Sequence, residues 1–354
     1  MIDQRPLITA VIPTYRRPQL LRRAVLSVLR QTYPNLRVCV YDDASGDDTR
    51  AVMEELMRQD QRVFYCEHPQ NVGPFDNFEL GIRRVSTPYF SVLSDDDILL
   101  PEFYAQAMEG FNRYPKAAFV ATKTLVVEGD QIVSILFDEN KEKYYVPPEG
   151  LIKISLGKTN TWTGSVYSRD AVADINFDRA MFGEPVEQDF LFRVVVKLPY
   201  LVKPVPGAIF IAHGSSMSAS RRSDDVIQRY QRMFSKIEDY PDVSDSDKGI
   251  VIKNAKRILI NALYDRALID IKSGDFDLAM KIAITLRNNF AQTNKSALLF
   301  VFAKIFKSNK IIYFVCAKLY AIWKKVDLRK ITKKQSSNDI YGSYLKYLDK
   351  YSGT

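Results

Sequence analysis

The chain is poor in the residues that build metal and disulfide scaffolds. Among 354 residues there are three cysteines, Cys39, Cys66 and Cys316, and two histidines, His68 and His213. The cysteines lie far apart with no CxxC pair, which excludes a zinc ribbon or a disulfide framework and fits a reducing compartment. A membrane-spanning helix needs roughly 20 residues almost free of charge. The most apolar candidate, residues 297–326, fails this test because it carries Lys304, Lys307, Lys310, Lys318, Lys324 and Lys325. The start of the chain, Met1-Ile2-Asp3-Gln4-Arg5-Pro6, has no basic-then-apolar leader of the secretory kind. These absences predict a cytoplasmic protein.

The formal charge of +8 is unevenly spread. Residues 1–215 hold 24 basic and 28 acidic side chains, and residues 216–354 hold 26 basic and 14 acidic. The last sixty residues alone hold 13 basic against 3 acidic. Such a basic segment suits nucleic acid, anionic lipid or a phosphorylated acceptor, and composition does not choose among them. The acidic balance of residues 1–215 and the lack of any DNA- or RNA-binding motif argue against nucleic acid. In residues 297–326 lysines alternate with aliphatic and aromatic side chains, which suits a helix in the interface of an anionic membrane. A helical hairpin packed on its own domain is the equal alternative.

Hydrophobic periodicity gives a βα rhythm from the start. Ile8–Ile12 reads as a strand, and Pro18–Leu29, apolar at positions 21, 24, 25, 28 and 29, reads as a helix closed by the Thr32–Asn35 turn. Leu36–Tyr41 is a second strand, Asp47–Met57 a capped helix and Arg62–Cys66 a third strand, with His68 in the loop after it. A helix over Phe75–Val85, a strand over Pro88–Leu93 and a helix over Pro101–Tyr114 complete a doubly wound domain. From about residue 118 the pattern breaks into short strand-like pieces: 118–122, 125–127, 132–136, 162–167 and 208–212. Gln188–Val196 reads as a helix. Beyond about residue 223 everything is helical, with a hairpin turning at Ser273-Gly274-Asp275. The predicted division is an α/β domain over 1–220 and a basic helical region over 221–354, the latter a membrane-surface or self-association module.

Three strand ends carry the chemistry. The first runs into Pro13-Thr14-Tyr15, the second ends at Asp42-Asp43, and the fourth delivers Asp95-Asp96-Asp97. In open, mostly parallel α/β sheets ligands bind at the carboxyl ends of the strands, so these loops are expected to converge. Crowded carboxylates are costly without a cation, and an all-oxygen donor set at a strand end suits Mg²⁺ or Mn²⁺.

Val11-Ile12-Pro13-Thr14-Tyr15, Tyr41-Asp42-Asp43-Ala44-Ser45 and Leu93-Ser94-Asp95-Asp96-Asp97, in that order and followed by Pro101, resemble the family 2 inverting glycosyltransferases of bacterial polysaccharide type, over roughly residues 7–217. The resemblance implies a GT-A fold, that is, a Rossmann-like mixed sheet, and transfer of a sugar from a nucleotide-diphosphate donor, a UDP-sugar above all, to a hydroxyl of a glycan or lipid-linked acceptor. By the same resemblance Pro13 and Tyr15 flank the base, Asp43 receives the uracil N–H with Asp42 beside it, Asp95 contacts the ribose, and Asp96 ligates the metal with Asp97 as helper. His213 is implied on the diphosphate side as a phosphate donor or third metal ligand, against the bland reading of a structural histidine. Asp189 aligns with the general base, and Glu187 reads as a surface charge. The pattern departs at three places: Ser94 replaces a first aspartate, Gln188 replaces the glutamate of a Glu-Asp pair, and Asn77-Phe78-Glu79 stands where a diphosphate-binding arginine is expected. Trp162 and Tyr167 could stack on an acceptor sugar, although a packed core strand is the more natural role.

Two other functions compete. A sugar-1-phosphate nucleotidyltransferase needs a glycine-rich phosphate loop after the first strand, and Tyr15-Arg16-Arg17-Pro18 has no glycine. An inactive nucleotide-sugar or partner-binding module acting through the basic tail, or a homo-oligomer built on it, is the non-enzyme alternative. The expected location is the cytoplasm, with peripheral attachment at the inner face of the plasma membrane through residues 295–354.

Overall fold

The computed structural model describes residues 5–159, 161–181, 186–212, 226–290, 293–308, 338 and 340–350. The chain divides into two compact units, one of Met1–Ile154, Lys158–Asp247 and Lys334–Thr354, the other of Ser155–Gly157 and Lys248–Lys333.

The first unit is built on ten strands: β1 Ile8–Thr14, β2 Leu36–Asp42, β3 Val63–Glu67, β4 Tyr89–Val92, β5 Ile98–Leu99, β6 Phe119–Glu128, β7 Gln131–Leu136, β8 Lys143–Tyr145, β9 Ser165–Ser168 and β10 Tyr200–Ile211. Their order across the sheet is β3-β2-β1-β4-β9-β6-β10-β5, with β7 on β6 and β8 on β10. Strands β1 to β4 pair in parallel and β9 runs antiparallel between β4 and β6, so the sheet is mixed. The helices are α1 Pro18–Leu29, α2 Thr49–Gln59, α3 Pro74–Arg83, α4 Phe103–Arg113, α5 Glu149–Ser155, α6 Arg169–Val172, α7 Val186–Val195, α8 Val226–Glu238, α9 Asp245–Ser273, α10 Phe276–Phe290 and α11 Thr293–Ser308.

Strand β1 is buried on both faces, as expected of a central parallel strand covered by helices. Helix α1 turns Leu21, Ala24, Val25 and Val28 to the sheet, the periodicity the sequence carries. Helix α3 lies so close that a Cβ on Gly81 would stand 2.8 Å from Val11 Cγ1. That contact explains a glycine inside a helix, where it is otherwise disfavoured.

Several expected boundaries shift for identifiable reasons. The pieces 118–122 and 125–127 are one strand, β6, interrupted in the sequence pattern by Thr122, Lys123 and Thr124, which are all buried. Their polar atoms are satisfied by Gly164 O, Asp138 and Thr163 O, partners distant in sequence. The expected strand 208–212 is the end of the twelve-residue β10, whose centre is irregular around Pro206 because proline has no N–H for the ladder. The piece 162–167 becomes a turn ending at Gly164 (φ 86°) and then β9. His68 lies in the loop after β3 as expected, and it is buried there with its Nε2 3.0 Å from Asn77 Oδ1.

The first unit also takes in residues beyond 220. Helix α8 buries Tyr230, Met233, Phe234 and Ile237. Tyr341, Tyr344, Leu345, Tyr347 and Leu348 pack on the cluster of Ile98, Leu100, Leu125, Val127, Ile132 and Ile209. Asn338 Oδ1 accepts from Ile132 N–H at 3.0 Å, and Arg30 Nη1 donates to Lys350 O at 3.0 Å. Within the expected lipid-facing segment 295–354, the described residues 338 and 340–350 are therefore docked on the α/β unit.

In the second unit α9 and α10 form the expected hairpin, turning at Gly274 with φ 86°. Helix α11 buries Ser296, Leu299, Ala303 and Phe306 on one face while Leu298, Val301, Phe302 and Ile305 are exposed on the other. Among the described residues no helix is long and apolar enough to cross a membrane.

Candidate active site

Register brings the strand ends together. Thr14 pairs with Asp42 across β1 and β2, and Val11 pairs with Val92 across β1 and β4, so three residues past each of those partners Thr14 faces Asp95. The Thr14 hydroxyl donates to Asp95 Oδ2 at 2.8 Å.

The acidic turn after β4 is buried, with Asp95 6%, Asp96 8% and Asp97 0% exposed. Arg17, at the start of α1, sets one nitrogen, Nη1, 3.1 Å from Asp95 Oδ1 and 2.8 Å from Asp96 Oδ2. Arg23, six residues further on, donates from Nη2 to the main-chain oxygen of Asp96 at 2.8 Å. Burial pushes the Asp95 carboxyl up to about 6 against the pull of Arg17, with Asp96 adding to the rise. Asp97 is held differently: the Thr163 hydroxyl donates to Oδ2 at 2.5 Å and Ile211 N–H to Oδ1 at 2.9 Å. Burial, and next the charge of Asp96, push its carboxyl well above the usual range. Asp97 thus ties the turn to β10 and to the segment before β9, and both of its oxygens are engaged by protein donors.

The second strand end is equally organised. Asp43 Oδ1 accepts Val72 N–H at 2.6 Å and Oδ2 accepts Gly73 N–H at 3.0 Å, while Asn71 Nδ2 donates to Asp43 O at 3.1 Å. Gly73 has φ 87°, which favours glycine, and Pro74 then opens α3. Each Asp43 oxygen keeps a second lone pair for a ligand. Asp42 accepts from Ser45 N–H at 3.1 Å and from the Tyr65 hydroxyl at 2.6 Å, contacts that brace the loop after β2. Arg16 and Ala44, neither of them glycine, sit at φ 54° and 57° at the ends of β1 and β2. Such conformations are sparsely populated and need support from their surroundings. Arg16 N–H donates to Ser45 Oγ at 2.8 Å and its Nε to Ser45 O at 3.0 Å, which locks the two loops together. Pro13 pairs with Tyr41 in the sheet, and Tyr15 is 40% exposed with the Arg16 guanidinium 5.1 Å from its ring centre. Asn77, buried beneath, donates to Tyr41 O at 2.9 Å.

Asp189 lies in another cluster. It is 0% exposed on α7, with Oδ2 2.9 Å from Arg193 Nε and Oδ1 3.0 Å from Lys236 Nζ on α8. Glu187, two residues earlier at the start of α7, is exposed. Trp162 and Tyr167, offered as a sugar platform, are buried in an aromatic cluster with Phe78, Phe177 and Phe190, Trp162 lying 4.7 Å from Phe78 and 5.2 Å from Phe190. The core role holds for both. His213 lies outside the described residues.

The structure thus joins Thr14, Arg17, Arg23, Asp95 and Asp96 in one network and Asp43 with the 71–73 turn in an adjoining one, linked by Asp43 N–H donating to Thr14 O at 3.0 Å. Arg17 and Thr14 belong to this network, and motif reading left both aside. The one signal for Arg17 was its place immediately after the first strand. Among the described residues no group of three or more His, Cys, Asp or Glu is gathered as a metal set. Two buried carboxylates that converge on one cationic nitrogen still fit a hard divalent ion, with other oxygens supplied by water and phosphate.

Residues 9–175 match the family described as glycosyl transferase family 2. The chain is 32% identical over 108 residues to the GalNAc(5)-diNAcBac-PP-undecaprenol beta-1,3-glucosyltransferase of Campylobacter jejuni, a stretch that is 30% of this chain and 35% of that protein. It is 31% identical over 118 residues to the chondroitin synthase of Escherichia coli, 33% of this chain and 17% of that protein. The chain matches about a third or less of the length of these relatives. Among solved structures it is similar to S. aureus TarS 1-349 in complex with UDP-GlcNAc, with a TM-score of 0.62 at 14% identity, covering 85% of this chain and 91% of that one. At that identity the likeness speaks for the fold. Motif order, sheet topology and these similarities agree that residues 9–175 match glycosyl transferase family 2 and that the fold is of the GT-A kind.

Proposed function

We propose that the chain transfers a sugar from a nucleoside-diphosphate donor, a UDP-sugar, to a hydroxyl of a glycan or lipid-linked acceptor in cell-surface polysaccharide synthesis, with inversion at the anomeric carbon. The observation that carries this is the buried Asp95–Asp96 pair, held by Thr14 and Arg17 beside the preorganised Asp43 loop. TarS is described in complex with UDP-GlcNAc, and the Campylobacter relative is named for a lipid-linked acceptor; both support the same reading here.

In this reading Asp43 accepts the N–H of the base and Tyr15 stacks on it, while Pro13 shapes that wall and Asp42 holds the loop. Asp95 meets the ribose, and Asp96 with Asp95 would hold Mn²⁺ or Mg²⁺, which supplies charge stabilisation for the departing diphosphate. Asp97, committed to Thr163 and Ile211, sets the shape of the turn and does not ligate. The acceptor oxygen attacks the anomeric carbon, the bond to the diphosphate oxygen breaks, and the acceptor proton passes to a carboxylate. We assign that base to Glu187 and revise the expectation for Asp189. A carboxylate with no exposure and both oxygens on cations is badly placed to take a proton, whereas Glu187 stands exposed at the start of the same helix.

The test is release of UDP from UDP-sugars, with and without Mn²⁺ and acceptor. Asp96→Ala and Glu187→Gln are expected to lower turnover at least about a hundredfold. Asp43→Ala is expected to weaken UDP binding about tenfold or more. Native turnover in both Asp96→Ala and Glu187→Gln would remove the mechanism.

For the helical unit we propose contact with an anionic membrane. The exposed row Leu298, Val301, Phe302 and Ile305, with the exposed Lys304 beside it, has the make-up of an interfacial helix. Changing Val301 and Phe302 to Ser is expected to reduce binding to phosphatidylglycerol vesicles and leave UDP binding unchanged. Unaltered vesicle binding would refute it.

A further inference from the structure

We infer that Arg17 is an exchangeable counter-cation of the acidic turn: it neutralises Asp95 and Asp96 in the donor-free protein and passes to the donor's diphosphate when a divalent ion takes its place. The inference rests on the nucleotide-sugar reading above and deepens it.

Four observations carry it. One nitrogen of Arg17 contacts both carboxylates, at 3.1 and 2.8 Å, and so stands at the point where a cation shared by the pair belongs. Arg17 is the open member of the group, with its side chain 29% exposed against 8% and 11% for the two aspartates. The turn does not depend on it: Thr14 holds Asp95 Oδ2, Arg23 holds the main-chain oxygen of Asp96, and Thr163 with Ile211 N–H holds Asp97. The Asp95 and Asp97 carboxylates and the main chain of Asp96 therefore have other donors that hold them when Arg17 leaves. Finally, residues 77–79 supply no guanidinium, since Asn77 is buried and bonded to Tyr41 O and His68. A diphosphate arriving at the turn needs a cationic partner there, and Arg17 sits on a flexible side chain beside the place it would occupy. Guanidinium groups bind phosphate oxygens in forked pairs, so exchange from carboxylates to phosphates conserves charge-assisted hydrogen bonds.

Such exchange makes two effects of opposite sign. In nucleotide-free full-length protein, Arg17→Ala is expected to tighten Mn²⁺ binding, followed by the electron paramagnetic resonance of free Mn²⁺, by about tenfold or more, because a competing cation is gone. With Mn²⁺ saturating, the same variant is expected to bind UDP about tenfold more weakly by calorimetry, because the diphosphate has lost its partner. Arg17→Lys is expected to lie between native and Ala in both measurements, and serves where the Ala variant folds poorly. Unchanged or weaker Mn²⁺ binding in Arg17→Ala, or undiminished UDP affinity, overturns the exchange while the donor-site reading stands. If the native chain binds neither Mn²⁺ nor UDP, the donor-site reading falls and this inference with it.

Discussion

Replacing Asp189 by asparagine separates support from catalysis. The native carboxylate is fully buried and paired with Arg193 and Lys236. Removing one member of a buried ion pair typically costs about 3–5 kcal/mol, since the partner charge is left uncompensated. Here the cations keep 24% and 26% side-chain exposure and asparagine retains one acceptor oxygen, so partial rehydration lowers the expected cost to about 2–3 kcal/mol. At about 2–4 °C per kcal/mol for a domain of this size, Asp189→Asn should lower Tm by about 4–12 °C. The loosened contact is α8, which Lys236 ties to Asp189 and also, at 2.9 Å, to Asp178. Turnover of the folded fraction at 25 °C should fall no more than about threefold, far short of the hundredfold or more expected for loss of a base. Glu187→Gln should do the reverse, leaving Tm within about 2 °C because an exposed side chain contributes little to stability. Differential scanning calorimetry and single-turnover UDP release on the same preparations decide it. An Asp189→Asn variant with native Tm and no measurable turnover would return the base to Asp189 and refute the burial argument.

Three other perturbations probe the frame. Gly73→Ala meets no atom within 4 Å, so its cost is the φ of 87° alone, about 1–2 kcal/mol, and UDP affinity should drop as the 72 and 73 amides move off Asp43; unchanged UDP affinity would show that these amides do not preorganise the loop. Deleting residues 338–354 uncovers the Ile98, Leu125 and Ile209 cluster and should cost at least about 3 kcal/mol from apolar exposure, read as a fall in Tm; a native Tm would show that this packing is weak. Burial acts to raise the Glu142 carboxyl, but the ion pairs with Lys203 and Arg113 outweigh it and hold the group below its ordinary 4.5. Its folded value is depressed, so its stabilisation is present above 4.5 and lost as pH falls through the lower folded value. Glu142→Gln should therefore destabilise the protein at pH 7 more than at pH 3, as urea titrations at the two pH values would show; an equal loss at both would remove the linkage.

Where side chains point to a repeated partner, the sequence alone is sufficient. The apolar spacing of Leu21, Ala24, Val25 and Val28, the strand runs before Thr14, Asp42 and Val92, and the Gly274 hairpin are local patterns set by period and turn chemistry, and the structure places each where the pattern puts it. The convergence of three strand ends followed as well, because parallel strands share one carboxyl edge. What stayed hidden depends on partners far along the chain. Lys123 and Thr124 broke the β6 pattern until Asp138, Tyr341 and Thr163 were seen to satisfy them. The docking of Tyr341–Leu348 on a sheet cluster some two hundred residues earlier could not be seen in a composition that read as a basic arm. Motif position alone likewise did not separate the buried, ion-paired Asp189 from the exposed Glu187, two residues earlier, or assign Arg17 to the acidic turn. Burial and charge pairing made those distinctions, and both are properties of the assembled three-dimensional surface, where groups distant in sequence set the dielectric and the counter-charge that each carboxylate meets.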